Sequence, residues 1–405
     1  MTARRPLAGA PGTLERLSRI ALARTEGVGP AGYRRLLERF GSAEAALREL
    51  PALARAGGRP LRPVSLADAE AECARAAALG ARHILLGEPD YPPLLAETED
   101  APPLILVRGD AAAAARRCVA IVGARNASAL GLRMARLLAE ALAGAGEVIV
   151  SGLARGIDTA AHRAALDAPG GSTVACLAGG IDIVYPPENA ALQEAIAARG
   201  LLVSEMPPGT EPQARHFPRR NRLIAGLAAG VVVVEAAPGS GSLITARLAG
   251  EAGREVMAVP GHLLDPRARG CNGLLREGAT LVESAADVLA ALAPFRLDAV
   301  PGAGASRARL RPLSGPAGAG AEAAAAAVPE AEDPGGARPD AGAEADADPQ
   351  GLGERLLALL SPAPVAVDEL VRASGAPAGA VQAVLVDLEL AGRLARHAGG
   401  RVSLA

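Results

Sequence analysis

Four arginines surround one of the three phenylalanines of the chain, in the stretch RHFPRRNRLIAG that runs from Arg215 to Gly226. The planar guanidinium group can hold a phosphate through two parallel hydrogen bonds. One phosphate does not require so many cations, whereas a polyanion does. An aromatic ring among them can stack on an unpaired base, a contact of about 1–3 kcal/mol in single-strand binding proteins. The stretch therefore predicts a nucleic-acid site, in which Phe217 stacks on a base or, alternatively, acts as a hydrophobic staple before a helix.

Three apolar runs of the central region are each followed by glycines and small hydroxyl residues. In an open parallel sheet such loops lie at the carboxyl ends of the strands, where their amides and hydroxyls can donate to phosphate oxygens. None of the loops has the G-x-G-x-x-G or Walker A spacing, and the chain contains no lysine, which excludes dinucleotide-binding, P-loop and Schiff-base chemistry. The predicted phosphate- and DNA-binding residues are Gly123, Arg125, Ser151, Gly152, Arg155, Arg215, Phe217, Arg219, Arg220, Asn221, Arg222, Gly239, Ser240, Gly241 and Ser242.

Short runs rich in Val and Ile alternate with amphipathic stretches between about Ala111 and Ala293. Such runs, with little polar alternation, are typical of strands buried on both faces. Their alternation with helices predicts an α/β fold with a Rossmann-like, doubly wound, mostly parallel sheet. This sheet would bring the glycine-rich loops and the arginines together at one edge.

Two smaller modules flank the predicted sheet. The first contains a helix, a turn at Gly27 to Pro30 and a second helix, which predicts a helix-hairpin-helix or, as an alternative, a helical cap that only packs on the sheet. The last module reads as three helices and a hairpin, the order of a winged helix. Because its third helix carries Asp387 and Glu389 and few basic residues, a helical partner-binding module is the alternative.

The predicted boundaries divide the chain into five segments. Residues from about 300 to 350 are dominated by Ala, Gly, Pro and acidic residues, and such a segment buries too little apolar surface to fold. The segments are a small helical N-terminal domain of helix-hairpin-helix or sterile-alpha-motif-like type at 1–60, a connecting region at 61–110, the Rossmann-like DNA-binding domain at 111–299, a disordered acidic linker at 300–350 and a winged-helix-like domain at 351–405.

Composition restricts the class of protein further. The net charge of −2 hides an acidic linker, because residues 321–350 carry eight acidic side chains against Arg338 alone and the remainder of the chain is therefore basic. The four cysteines form no C-x-x-C pair and the five histidines are widely scattered, so we expect no metal, no disulfide framework and no cofactor, and structural histidines. No apolar run resembles a signal peptide or a membrane span, which predicts a cytoplasmic protein without membrane contact.

Long motifs in the central region resemble the DNA-processing protein A family, also called DprA or Smf. They are SGLARGIDTAAH, GGIDIVYPPEN, LLVSEMPPGT, HFPRRNRLIAGL, VVVVEAAPGSGSLITARLA and VMAVPGHLLDPRARGCNGLLREGATLV. They occur in the family's order, and the resemblance spans about Pro92 to Leu292. It implies a Rossmann-like domain that binds single-stranded DNA and pairs as a homodimer, between an N-terminal helical domain and a C-terminal winged helix.

The resemblance also implies a function and a set of contacts. Members act in DNA uptake and natural transformation, where they protect incoming strands and load the RecA recombinase onto them; a single-strand-binding protein is a further candidate partner. By motif, Arg125, Phe217 with its arginines, and the loop from Gly239 to Ser242 would line the DNA groove. Ala124 replaces the Thr or Ser that the family often has, and Arg215 is the expected substitute for a lysine of other members.

The sequence is also compatible with two other functions. The loop PGSGS is similar to that of nucleotide phosphoribohydrolases, but Leu243 to Ala246 follow it where those enzymes have a catalytic glutamate, and we expect no enzymatic activity. A regulator that binds duplex DNA through the winged helix is the second alternative. Arg125 and Arg222 also have an alternative role, as internal braces to Glu205 or Glu235.

Overall fold

The computed structural model describes residues 12–57, 63–295 and 349–405. The chain divides into two compact units, one up to residue 308 and one from residue 309. The predicted linker falls outside the described residues except for its last two positions, and its predicted disorder stays a prediction.

Four helices open the first unit. The second helix begins with Pro30, where a missing N–H costs nothing, and ends at Gly41, whose φ of +77° suits glycine. Tyr33, Leu37 and Leu50 are buried together between these helices. The helices are α1 Thr13–Arg24, α2 Pro30–Phe40, α3 Ala43–Gly57 and α4 Leu66–Ala78.

Nine described strands form one sheet with the order β1-β2-β6-β5-β4-β3-β7-β8-β9. The strands from β6 to β9 in this order are parallel, whereas β1 pairs antiparallel with β2, and β2 antiparallel with β6. The predicted Rossmann-like, mostly parallel sheet is confirmed. The strands are β1 Ala81–Leu85, β2 Leu104–Gly109, β3 Cys118–Val122, β4 Val148–Ser151, β5 Ser172–Leu177, β6 Leu201–Ser204, β7 Gly230–Val233, β8 Glu255–Ala258 and β9 Thr280–Leu281.

Helices cover both faces of the sheet, as the apolar character of its strands requires. Alternate residues of β3 divide between two core clusters: Cys118 and Ala120 belong to one, Val119 and Ile121 to the other. These helices are α5 Pro93–Ala96, α6 Ala129–Gly144, α7 Ile157–Asp167, α8 Ala190–Arg199, α9 His216–Leu227, α10 Gly241–Glu251, α11 Arg269–Arg276 and α12 Ala285–Leu292.

The second unit has the predicted winged-helix order. Its elements are α13 Pro349–Leu359, β10 Val365–Ala366, α14 Val367–Ser374, α15 Ala378–Leu390, β11 Leu394–His397 and β12 Arg401–Leu404. The third helix of this unit, α15, exposes Val386 and Leu390 to solvent. Across both units, no helix among the described residues has the length and apolar character needed to cross a lipid bilayer.

Candidate functional site

The loop between β4 and α7 is shaped by polar side chains that follow it in the sequence. The Asp158 carboxylate accepts hydrogen bonds from the N–H groups of Gly152 at 3.1 Å and Ala154 at 3.3 Å. Between them Leu153 has a φ of +56°, which costs a non-glycine residue about 1–3 kcal/mol. Asn189 Nδ2 donates to Leu153 O at 3.0 Å. These bonds hold the loop in a strained conformation at the carboxyl edge of the sheet.

His162 lies fully buried beneath the same loop. The Thr173 hydroxyl donates to Ile149 O at 2.6 Å, so His162 Nδ1 must donate to Thr173 Oγ1 at 2.7 Å, which leaves Nε2 to accept from Leu153 N at 3.3 Å. Burial lowers the pKa of His162 to about 3. The ring is therefore a neutral brace, in line with the expectation of structural histidines.

The helix α9 contacts all three glycine-rich loops. Its Phe217 ring lies 5.1 Å from the guanidinium carbon of Arg125, in the loop after β3. Its Arg220 donates to the backbone oxygen of Gly152, in the loop after β4. Its Asn221 Nδ2 donates to Gly241 O at 3.2 Å, in the loop after β7. The fold thus brings the sequence-predicted residues to one edge, with α9 at the centre.

Three of the predicted arginines are exposed, one in the loop after β3 and two on α9. Arg125, Arg215 and Arg219 present their side chains to solvent, and the half-buried Phe217 contacts Arg125 but lies on the opposite side of α9 from Arg215 and Arg219. The contact of Arg125 with the Phe217 ring is a cation–π arrangement. Tyr185, which the sequence reading did not select, places its ring centroid 5.8 Å from that of Phe217 at an interplanar angle of 63°. The result is a surface with cationic groups beside two aromatic rings.

Arg222, in contrast, is a brace. Its side chain is only 16% exposed and its Nη2 donates to the Glu205 carboxylate. Its Nη1 donates to the backbone oxygen of Asp100. Burial raises the pKa of Glu205, against the lowering effect of the Arg222 charge. The alternative role that the sequence left open therefore applies to Arg222.

Other predicted residues are engaged within the protein. Ser151 is fully buried and its Oγ donates to Ile121 O at 2.6 Å, so its hydroxyl faces the sheet. Arg155 is exposed but paired with Glu188. A side chain at Gly123 would place Cβ 2.7 Å from the Ile157 side chain, which explains glycine at this close approach to α7.

The loop between β7 and α10 carries the remaining predicted residues. Gly239 is exposed, with a φ of +81° that suits glycine. The hydroxyls of Ser240 and Ser242 are hydrogen-bonded to each other. Because Ser240 directly precedes α10 and Gly241 is exposed, this loop presents a helix N-terminus at the sheet edge, where its dipole favours anions.

Carboxylates near this edge hold loops in place. Glu235 accepts hydrogen bonds from the N–H of Ser128, at 2.9 Å, and from its hydroxyl, at 2.5 Å. Burial raises the pKa of Glu235, partly offset by these bonds. Glu235 therefore ties the loop that carries Arg125 to the end of β7. Among the described residues no group of His, Cys, Asp or Glu side chains is arranged to bind a metal ion.

The loop after β4 is held in position by Asp158, His162 and Asn189. The sequence analysis did not select these three as site residues. Asp158 and His162 belong to the motif SGLARGIDTAAH and Asn189 to PPEN. Two polar residues four apart on the buried face of α7 are unusual, because unpaired polar groups are costly in a core. That pattern is the signal that could have assigned them to the loop.

Comparison with known proteins gives consistent matches over most of the chain. The family model described as DNA recombination-mediator protein A matches residues 82–293. The models of a DprA-like N-terminal HHH domain and a DprA winged helix domain match residues 13–75 and 338–400. The predicted resemblance to DprA and Smf proteins is confirmed by these matches.

Individual relatives agree with the family models. The DNA processing protein DprA of Streptococcus pneumoniae is 48% identical over 200 residues, which are 49% of this chain and 70% of the relative. Protein Smf of Synechocystis is 36% identical over 318 residues, 78% of each chain. The X-ray structure of DprA from Streptococcus pneumoniae is similar with a TM-score of 0.59 and 34% identity, over 69% of this chain and 98% of that one.

Proposed function

The chain belongs to the DNA recombination-mediator protein A family, and from this membership we propose that it binds single-stranded DNA along the edge of the sheet centred on α9. The family places it among proteins with a DNA-processing, recombination-mediating role. The observation that carries the proposal is the half-buried Phe217 ring in contact with the exposed Arg125, on a helix that also exposes Arg215 and Arg219. Arginines that hold phosphates and a ring that stacks on a base are what an unpaired strand requires.

The finer parts of the proposal follow from the family rather than from the site. We propose that the protein acts in the cytoplasm as a homodimer, protects incoming strands during DNA uptake, and delivers them to RecA, with a single-strand-binding protein as a further partner. The test is RecA filament formation on a strand covered by single-strand-binding protein, with and without this protein. No acceleration of filament formation would contradict the RecA part and leave single-strand binding intact.

We further propose that the protein acts by binding and not by catalysis. The carboxylates nearest the site are engaged in the protein: Asp158 with loop amides, Glu205 with Arg222 and Glu235 with Ser128. Incubation with nucleoside monophosphates and ATP should give no turnover at micromolar protein. Turnover that disappears with Glu235→Gln would contradict this.

The binding test is a titration of labelled single strands and duplexes at several salt concentrations. Three to four arginine–phosphate contacts predict a log–log slope of about −2 to −3 on single strands. Arg219→Ala should reduce the slope by about 0.7, whereas Arg48→Ala, a matched exposed position on α3, should not. An affinity that does not change with salt concentration, or equal affinities for duplex and single strand, would contradict the proposal.

A duplex-binding role for the winged helix receives no support from its third helix. The sequence of α15, AGAVQAVLVDLEL, contains no arginine. A helix that enters the major groove ordinarily contributes cationic contacts to phosphates and bases. The acidic Asp387 and Glu389 would oppose such an approach, so the single-strand site in the first unit is the stronger candidate.

A further inference from the structure

A narrow pocket lies beside Phe217 at the carboxyl ends of β4 and β5. Its volume is about 20 Å³, which is the space of about one water-sized group. Phe217 and Tyr185 both border it, and Gly152 and Gly179 contribute lining without side chains. Tyr185 is 47% exposed, so its ring lies at the mouth of the pocket rather than at its floor.

Arg220 lines this pocket, and its guanidinium has an unmet hydrogen-bond donor. Arg220 is only 7% exposed. Its Nη1 donates to Gly152 O and lies 3.9 Å from an oxygen of Asp158, a carboxylate that already accepts the two loop amides. Its Nε is buried and has no hydrogen-bond partner among the described residues. Since a guanidinium has five N–H donors and unmet buried donors are costly, the group is suited to an acceptor on a ligand.

The loop after β4 packs closely against Arg220. A Cβ atom at Gly152 would lie 1.4 Å from Arg220 Nη1, so any side chain at that position would displace the guanidinium. The guanidinium carbon of Arg220 also lies 5.8 Å from the centroid of the Phe217 ring, so the cation and the aromatic ring border the same pocket. The Arg220 guanidinium and the Phe217 ring are therefore adjacent at the pocket.

We propose that this pocket receives the carbonyl edge of one unpaired base, whose ring stacks on the exposed Tyr185 ring beside Phe217. The inference deepens the proposed single-strand binding and rests on it. A carbonyl oxygen is water-sized and only accepts hydrogen bonds, whereas the guanidinium only donates them. Thymine, cytosine and guanine carry a ring carbonyl and adenine does not. The protein therefore prefers strands that offer a carbonyl-bearing base at this position, and Tyr185 is a base-stacking residue.

The test compares short strands of abasic nucleotides that carry one base, either dT, dI or dA, with an all-abasic strand. Hypoxanthine and adenine share the same ring skeleton: position 6 carries a carbonyl in hypoxanthine and an amino group in adenine, and N1 accordingly carries a proton only in hypoxanthine. The dT and dI strands should bind about tenfold tighter than the dA strand, as expected for a hydrogen bond to a charged donor. Equal affinities for dI and dA would overturn the inference.

The same series separates this inference from the proposed function. Binding of the all-abasic strand measures the phosphate contacts alone. If neither it nor any base-carrying strand binds, single-strand binding itself is wrong. If all strands bind equally, only the base pocket is wrong.

Two substitutions assign the residues. Tyr185→Ser should weaken the binding of base-carrying strands about fivefold, which is the weaker end of base–aromatic stacking. The affinity for the all-abasic strand should not change. Tyr185→Phe should restore the affinity for base-carrying strands. Arg220→Lys should reduce the preference for dI over dA to about twofold or less. Unchanged base-dependent affinity in Tyr185→Ser would refute the role of Tyr185. If Arg220→Lys fails to fold, the wild-type comparison of dI with dA still decides the carbonyl contact.

Discussion

Replacement of Arg222 by alanine separates the two kinds of arginine in α9. The Arg222 side chain is 16% exposed and that of its partner Glu205 is 12% exposed. The second carboxylate oxygen of Glu205 has no hydrogen-bond partner among the described residues. Removal of Arg222 therefore takes the hydrogen-bonded counter-charge from a buried carboxylate, on which only the charges of Arg219 and Arg24 still act, and we expect no phosphate contact to be lost.

The magnitude follows from the burial of the pair. Loss of one partner of a buried ion pair costs about 3–5 kcal/mol in free energy of unfolding. A domain of this size class loses about 2–4 °C in Tm per kcal/mol, so Arg222→Ala should lower Tm by roughly 6–20 °C. The slope of log Kd against log salt should stay within about 0.3 of the wild-type value, since one lost contact would change it by about 0.7.

The assay combines thermal unfolding with titration of a labelled single strand at several salt concentrations. Arg219→Ala is the matched control, because it lies one turn earlier on the same helix and is exposed; its Tm should not change and its slope should fall by about 0.7. The double variant Arg222→Ala, Glu205→Gln should recover part of the lost stability, because the unpaired charge is gone. A normal Tm for Arg222→Ala together with a slope reduced by about 0.7 would refute the reasoning.

Three further predictions concern other contacts. Phe217→Leu should weaken single-strand binding by about 5- to 150-fold at unchanged salt slope, because a stacked base is lost and no phosphate contact is. Arg125→Ala should reduce the slope by about 0.7 without a change in Tm; a lower Tm with an unchanged slope would make it a brace. Burial disfavours the charge of Glu72, but the hydrogen bond from His83 and the charge of Arg24 outweigh this and lower the pKa of Glu72 from 4.5 to about 2. The stability from this carboxylate is complete well above pH 4.5 and disappears as the pH falls through 2. Glu72→Gln should therefore cost about 2–3 kcal/mol in urea unfolding at pH 7 and less than half of that at pH 3; an equal cost at both would contradict the assignment.

The central sheet could be predicted because its strands are buried on both faces. The runs that became β3 to β8 contain mostly apolar residues, and this composition identifies them without any knowledge of their neighbours. The antiparallel strands β1 and β2 were assigned only to a connecting region. Their place at the sheet is set by pairs such as Leu106 with Ser204, which lie about a hundred residues apart and leave no local periodicity to detect.

The loops at the sheet edge were predictable in position but not in the direction of each side chain. Ser151 ends β4 and was selected for its hydroxyl, yet that hydroxyl donates to Ile121 of the neighbouring strand. Tyr185 was not selected, since a lone tyrosine in a loop carries no pattern of its own. Tyr185 contacts Phe217, which lies 32 residues further along the chain, so no local sequence pattern connects the two rings.

The arginines of α9 show where periodicity suffices and where it fails. Arg219 lies four residues after Arg215, on the same helical face, and both are exposed. Arg220 lies four residues after the buried His216 and three before the buried Leu223, so the 3.6-residue period already places it on the core side. The same period places Arg222 with Arg219 on the outer face, yet Arg222 is covered, because Asp100 and Glu205 reach it from distant parts of the chain. Charge alone therefore cannot rank these four residues as strand contacts, and a variant series needs stability and salt slope measured together to distinguish the arginines that hold a strand from those that hold the helix.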